Sequence, residues 1–291
     1  MNKPWHGVLV ATALPWNEAG APDLERYAAH IRWLAENGCD GAIPNGSLGE
    51  YPTLSVDERS AVVRTALEAA PDGFSVIPGV GAYGSDEARR WAEQAAEVGA
   101  PAVMALPPNT YRADDRAVVE HYRAVAAVGL PVVAYNNPID TKVDLTPELL
   151  ARLHGEGLIV GVKEFTGDVR RAYRLAELAP ELDLIAGADD VVLELAIAGA
   201  KGWIAGFPNA LPAECMDLWR AAAAGDLAKA VPLYRQLHPL LRWDSRVEFV
   251  QAIKYAMDLV GRYGGPCRAP RVPLTDEHAA IVRAAVERAT G

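Results

Sequence analysis

A lysine closes the apolar run Leu158-Ile159-Val160-Gly161-Val162, and Lys163 is followed by Glu164-Phe165-Thr166-Gly167-Asp168. An ammonium group has no easy place at the end of a strand packed on both faces, because desolvating charge is costly. Burial lowers a lysine's pKa, and the neutral amine is the form that attacks a ketone or imine carbon to give a Schiff base. Alternation along the strand puts Lys163, Gly161 and Ile159 on one face, which predicts that the small Gly161 leaves room beside the amine.

Two other clusters could work with such an amine. Tyr135-Asn136-Asn137-Pro138 ends a second apolar run, and a phenol beside an amine can shuttle protons during carbinolamine formation and dehydration. A core tyrosine with its hydroxyl satisfied locally is the more usual account of an isolated Tyr135. In Asn45-Gly46-Ser47-Leu48-Gly49-Glu50-Tyr51, Gly46 and Gly49 frame a hydroxyl and free N–H groups. That shape can hold a carboxylate or phosphate oxygen; a turn that merely needs glycines is the simpler account. Asp189 and Asp190 read as helix caps. Among the other lysines, Lys3 lies in the tail, Lys142 and Lys201 in polar turns, and Lys229 on a late helix. Lys254 shares a helical face with Val250 and Met257, and snorkelling accounts for it.

The elements that must position these residues recur as one unit: a short apolar strand, a turn, an amphipathic helix. The strand candidates are 7–12, 41–44, 74–80, 102–106, 131–136, 158–163, 182–186 and 202–206. Helical patterns alternate with them near 23–37, 56–70, 85–98, 114–128, 146–154, 169–178, 190–198 and 212–224. Ser55, Ser85 and Thr146 stand where helices should start, and Gly38, Gly99, Gly129 and Gly199 where they should stop. Eight βα units predict a (β/α)8 barrel over 1–224, with a doubly wound sheet as the alternative. Three further helical patterns, 226–241, 246–260 and 275–290, form a predicted C-terminal extension, 225–291. In a barrel, functional groups come from the C-terminal strand ends, where Tyr135 and Lys163 occupy adjacent strands. Pro78-Gly79-Val80-Gly81 and Ile204-Ala205-Gly206 would keep the mouth open.

Composition limits the classes. The 291 residues are 51% hydrophobic and 23% charged, ordinary for a globular protein with a large core. A net charge of −10 argues against nucleic-acid or anionic-membrane partners. No apolar run is long enough to span a bilayer and no leader pattern precedes Trp5, so a cytoplasmic location is expected. Cys39, Cys215 and Cys267 are widely spaced, and the histidines form no HxxxH or HxH pair. Neither a disulfide framework nor a metal site is expected.

Taken in order, Gly46-Ser47-Leu48-Gly49-Glu50, Tyr135-Asn136-Asn137-Pro138 and Gly161-Val162-Lys163-Glu164 resemble the dihydrodipicolinate synthase/N-acetylneuraminate lyase superfamily of Schiff-base barrel enzymes, over essentially the whole chain. The resemblance implies a small 2-oxo acid or equivalent imine carboxylate as substrate, no cofactor, and usually a homotetramer. It makes Lys163 the Schiff-base lysine and Tyr135 the proton-relay phenol. Gly46, Ser47, Leu48 and Gly49 match the carboxylate-binding turn, and Ile204 a position whose backbone carbonyl faces substrate. Three departures bear on specificity. Leu48 stands where many members carry a second hydroxyl. Asp140 stands where the lysine-biosynthetic synthase carries an arginine, and Asn109-Thr110-Tyr111 replaces a tyrosine pair.

Asn136-Asn137-Pro138, Gly187-Ala188-Asp189-Asp190-Val191-Val192, Gly202-Trp203-Ile204-Ala205-Gly206 and Pro208-Asn209-Ala210 resemble the branch containing Δ1-pyrroline-4-hydroxy-2-carboxylate deaminase. So do Pro232-Leu233-Tyr234 and Gly261-Arg262-Tyr263-Gly264. The favoured expectation is that deaminase; the alternatives are the lysine-biosynthetic synthase, a pyruvate-dependent aldolase of a sugar acid, and a non-catalytic 2-oxo acid sensor.

Overall fold

The computed structural model describes residues 3–109 and 112–291. Eight parallel strands run in the order β3-β2-β1-β8-β7-β6-β5-β4. They are β1 (Gly7–Ala11), β2 (Gly41–Ile43), β3 (Ser75–Val76), β4 (Val103–Ala105), β5 (Val132–Asn136), β6 (Gly161–Glu164), β7 (Asp183–Ala186) and β8 (Gly202–Ala205). The order closes on itself. Gly79 bridges Met104 in parallel, and Val80 N–H to Met104 O and Met104 N–H to Pro78 O both measure 2.9 Å. The expected strand 74–80 is thus regular only at its start, because Pro78 has no N–H to give. Gly79 is required there, since a Cβ would sit 2.4 Å from Asn45 O. The strands read as nearly continuous apolar runs because both faces are covered, by barrel interior and by helices.

The helices are α1 (Leu24–Glu36), α2 (Val56–Ala69), α3 (Ser85–Glu97), α4 (Asp115–Ala126), α5 (Pro138–Thr141), α6 (Pro147–Gly155), α7 (Arg170–Leu178), α8 (Val192–Ile197), α9 (Pro212–Ala223), α10 (Leu227–Leu241), α11 (Phe249–Leu259) and α12 (Asp276–Thr290). The last three are the extension. Ser55 forms a full capping box with Glu58, and Thr146 caps α6 through Leu149 N–H. Ser85 does not cap: Gly84 holds that position, and the Ser85 hydroxyl pairs with His121 Nδ1 instead. The four-residue α5, capped by Asn137, has no counterpart among the expected elements because one turn shows no periodicity. Among the described residues, no helix is long and apolar enough to cross a membrane.

Candidate active site

β5 and β6 pair in register with Val133 opposite Gly161 and Tyr135 opposite Lys163. The two candidate side chains therefore emerge together at the C-terminal end of the barrel. Lys163 is 6% exposed and Tyr135 4%. Nζ stands 4.2 Å from the Tyr135 ring centroid and 5.5 Å from that of Phe165. Nζ makes no hydrogen bond or ion pair among the described residues. Both side chains line a cavity of about 400 Å³.

The room for the lysine does not come from Gly161. A Cβ there would meet Asp183 O at 3.1 Å and Ile185 Cδ1 at 3.4 Å, both on the neighbouring strand. Gly187, at the end of β7, is the residue that matters: its Cβ would fall 2.9 Å from Lys163 Cγ and 2.5 Å from Glu164 O. Residues that share a face along one strand are further apart than residues paired across strands.

Three buried carboxylates lie near the end of β6, and two of them, Asp244 and Asp189, act on the amine. Glu164, next in sequence, is buried and accepts hydrogen bonds from Asn136 Nδ2 at 3.0 Å and Thr166 N–H at 2.8 Å, which ties the end of β6 to β5 and to its own turn. Asp189 caps nothing. Its side chain is fully buried and accepts from Trp203 Nε1 (2.9 Å), Gly206 N–H (3.1 Å) and Phe207 N–H (3.2 Å), pinning the turn after β8. Asp190 accepts instead from the Ser245 hydroxyl. Asp244, from the stretch before α11, is buried, lines the cavity and accepts weakly from Asp189 N–H at 3.4 Å.

Burial pulls the Lys163 amine below its ordinary range, while the Asp244 and Asp189 charges pull the other way. Burial likewise raises the Tyr135 phenol, reinforced by Asp244, so it stays protonated and able to donate. The Asp244 carboxyl is pushed up to about 6 by burial, with the Lys163 charge opposing. An amine whose charge is disfavoured by burial, next to a protonated phenol, has the groups that Schiff-base chemistry uses.

The turn after β2 lies opposite. Gly46, Ser47 and Leu48 line the cavity, and their backbone N–H groups reach no acceptor among the described residues. The residues with left-handed backbone are not the glycines but Asn45 (φ 56°) and Glu50 (φ 57°). Asn tolerates that region, whereas Glu50 is held in it by its carboxylate, which accepts from Trp16 Nε1 at 3.0 Å and Arg268 N–H at 2.8 Å. Gly49 packs behind the turn on Thr12 O and does not reach the cavity. Nor does Ile204, which sits in β8 opposite Leu9; the wall there is Gly206. Asp140 does line the cavity, exposed, and accepts from Asn137 Nδ2 at 2.8 Å; the same nitrogen lies 3.3 Å from the Tyr135 hydroxyl. Asn109 contacts the Tyr51 hydroxyl at 3.4 Å, and Tyr111 falls outside the described residues.

Sequence reasoning missed Asp244, Arg246 and Arg271, which bring extension residues to the cavity wall. It also misassigned Lys254. That side chain is 1% exposed and does not snorkel. Its Nζ donates to Leu14 O at 2.9 Å and Pro266 O at 2.5 Å, and faces Glu50 at 3.4 Å. Among the described residues, no group of three or more His, Cys, Asp or Glu side chains is placed to hold a metal ion.

A closed (β/α)8 barrel with a buried lysine and tyrosine meeting at the ends of its fifth and sixth strands has the framework of a lyase. Comparison with known proteins gives the family. Residues 4–289 match the dihydrodipicolinate synthetase family, and the chain belongs to it. It is 35% identical over 289 residues to the 4-hydroxy-tetrahydrodipicolinate synthase of Anaeromyxobacter dehalogenans, covering 97% of this chain and 96% of that one. Among solved structures, dihydrodipicolinate synthase from Aquifex aeolicus superposes with a TM-score of 0.93 at 28% identity, over 98% of both chains. A prophage protein of the same family from E. coli K12, solved in complex with pyruvate, gives 0.91 at 26% identity, again over 98% of both.

Proposed function

We propose that Lys163 is the Schiff-base nucleophile of an enzyme acting on a small 2-oxo acid or cyclic imine carboxylate. The favoured reaction is deamination of 1-pyrroline-4-hydroxy-2-carboxylate. Lys163 adds to C2 of the ring C=N, the C2–N bond to the ring nitrogen breaks, and a primary amine is freed on C5. The lysine imine loses its C3 proton to become an enamine, which expels the 4-hydroxyl as water. The unsaturation moves toward C5, where hydrolysis releases ammonia; hydrolysis of the lysine imine then frees 2-oxoglutarate semialdehyde. Tyr135 serves the proton transfers at the lysine nitrogen, and the Gly46–Leu48 turn holds the carboxylate.

The observation that carries this reading is Asp140, held by Asn137 at the cavity wall beside Tyr135. An acidic group suits a substrate that develops an ammonium, and repels one that brings a second carboxylate to that wall. A second reading, condensation of pyruvate with aspartate semialdehyde, is favoured by Arg246 and Arg271 at the mouth, neither ion-paired among the described residues, and by the relatives named for that reaction.

Borohydride trapping with pyruvate or the pyrroline carboxylate, followed by peptide mapping, should place the adduct on Lys163 and give none in Lys163→Ala. An adduct elsewhere, or none, ends the Schiff-base reading. Ammonia and semialdehyde release from the hydroxylated pyrroline should exceed condensation with aspartate semialdehyde; the reverse ranking selects the second reading.

A further inference from the structure

A second cavity, about 220 Å³, lies between α1 and the segment after α11, apart from the site above. Arg26, His30 and Arg262 line it; no carboxylate does, though Arg26 Nε also pairs with Asp23 Oδ2 at 3.0 Å. Arg262 is the anomaly. Its Nε is shut off from solvent with no hydrogen-bond partner among the described residues, and its guanidinium stacks 4.2 Å over the Trp33 ring. Buried donors in folded proteins almost always find an acceptor, so this one stands out. Arg26 lies over the Tyr263 ring at 4.1 Å, and Tyr263 is itself tied to Trp16 O by its hydroxyl at 3.0 Å. Stacking of this kind holds both guanidinium planes in place before any ligand arrives, and guanidinium forks match oxyanions.

His30 links the cavity to the barrel mouth. Its Nε2 pairs with Asn209 Oδ1 at 2.9 Å, which also accepts from Ala13 N–H at 3.0 Å. Asn209 Nδ2 donates to Ala11 O and Gly206 O, both at 2.7 Å. Ala11 and Gly206 line the active cavity. One amide therefore spans the two cavities.

We propose that the cavity between α1 and α11 binds a small oxyanion, a carboxylate or a phosphate group, through Arg262 and Arg26, and that its occupancy is felt at the active cavity through His30 and Asn209. The volume suits a ligand smaller than a drug-sized molecule.

The test uses the full chain with inorganic phosphate in calorimetry and selenate in crystal soaks. Expected are a dissociation constant of about 1 mM or tighter and anomalous density between Arg26 and Arg262. Arg262→Gln should weaken binding by roughly tenfold, the scale of one lost charge-assisted hydrogen bond. Because that change also removes the stack on Trp33, Ala29→Glu is the companion: it puts a carboxylate on an exposed helical position one turn from Arg26, and should block phosphate with the fold intact. Absence of density, or unchanged affinity in both variants, overturns the site. Phosphate should also shift the pyruvate concentration for half-maximal trapping at Lys163 by about fivefold in the wild type, and not in Ala29→Glu. No shift in the wild type refutes the coupling. If Lys163 traps nothing, the Schiff-base reading fails while the selenate density still decides this one.

Discussion

Gly187→Ala is the sharpest test of how the barrel makes space for Lys163. The added Cβ would lie 2.5 Å from Glu164 O, 2.8 Å from Glu164 C and 2.9 Å from Lys163 Cγ. Non-bonded carbons rest at roughly 3.5 Å or more, so the shortfall is about 0.6 Å or greater. β7 cannot back away freely, because Gly187 N–H bonds Glu164 O at 3.0 Å. Part of the strain therefore falls on backbone and part on the lysine stem. Overpacking of this size costs about 1–3 kcal/mol, a fall of several degrees in Tm for a chain this long. A displacement approaching 1 Å at the Lys163 amine should lower the trapping rate by up to about 10²-fold. Time-resolved borohydride trapping with pyruvate, read by peptide mass, separates this from mere destabilisation. Gly161→Ala is the control, since its Cβ would press on Asp183 O and Ile185 but not on Lys163. It should lose stability while trapping within a few-fold of wild type. If Gly187→Ala traps at the wild-type rate, or both variants are equally impaired, the assignment of that space to Gly187 is wrong.

Asp244→Asn removes an anion that holds the Lys163 pKa up, so the rise in trapping rate with pH should move to lower pH; an unmoved profile uncouples the two groups. Because the Asp244 carboxyl sits at about 6 when folded and near 3.9 when unfolded, its contribution to stability is complete below about pH 4 and lost as pH rises through about 6. Denaturant titrations at the two ends of that window should show this decline in wild type and not in Asp244→Asn. Lys254→Met leaves Glu50 buried without its cation and should cost about 3–5 kcal/mol, much of it recovered when Glu50→Gln is added, as urea unfolding would measure.

The Lys163–Tyr135 pair was legible because it needs only local information. An amine ending an apolar run, a phenol ending another, and consecutive strands of a parallel barrel leave few ways for the two not to meet. What failed to show depends on partners distant in sequence. Choosing between Gly161 and Gly187 requires knowing how β6 and β7 are staggered. Lys254 looks like a snorkelling residue on its own helix, and becomes buried only because Pro266–Arg268 and Glu50 close over it. Asp189 and Asp190 look like caps in sequence, but Asp189 becomes the acceptor for Trp203 only once β7 and β8 pair. Asp244 carries no pattern at all: Trp243-Asp244-Ser245 is an ordinary helix exit until the stretch folds over the barrel mouth.

That last placement alters what the C-terminal extension is for. Sequence reading separates a catalytic barrel from helices packed on it, yet Asp244, Arg246, Phe249 and Arg271 are cavity wall. The charge that opposes desolvation of Lys163 comes chiefly from Asp244, so the amine's protonation depends on how the extension is seated. Seating is fixed on the opposite side of the mouth. Glu50 receives Lys254 from α11 and the Arg268 N–H from the segment beyond it, while the Arg268 side chain bonds Thr53 O and both Glu58 oxygens. Glu50 closes the turn that presents Ser47 to the cavity, in a left-handed conformation it would not hold without those partners. The extension therefore braces the Gly46–Leu48 turn at one edge of the cavity and tunes the Lys163 amine from above. A barrel ending at α9 would keep both Lys163 and Tyr135 but lose the geometry around them.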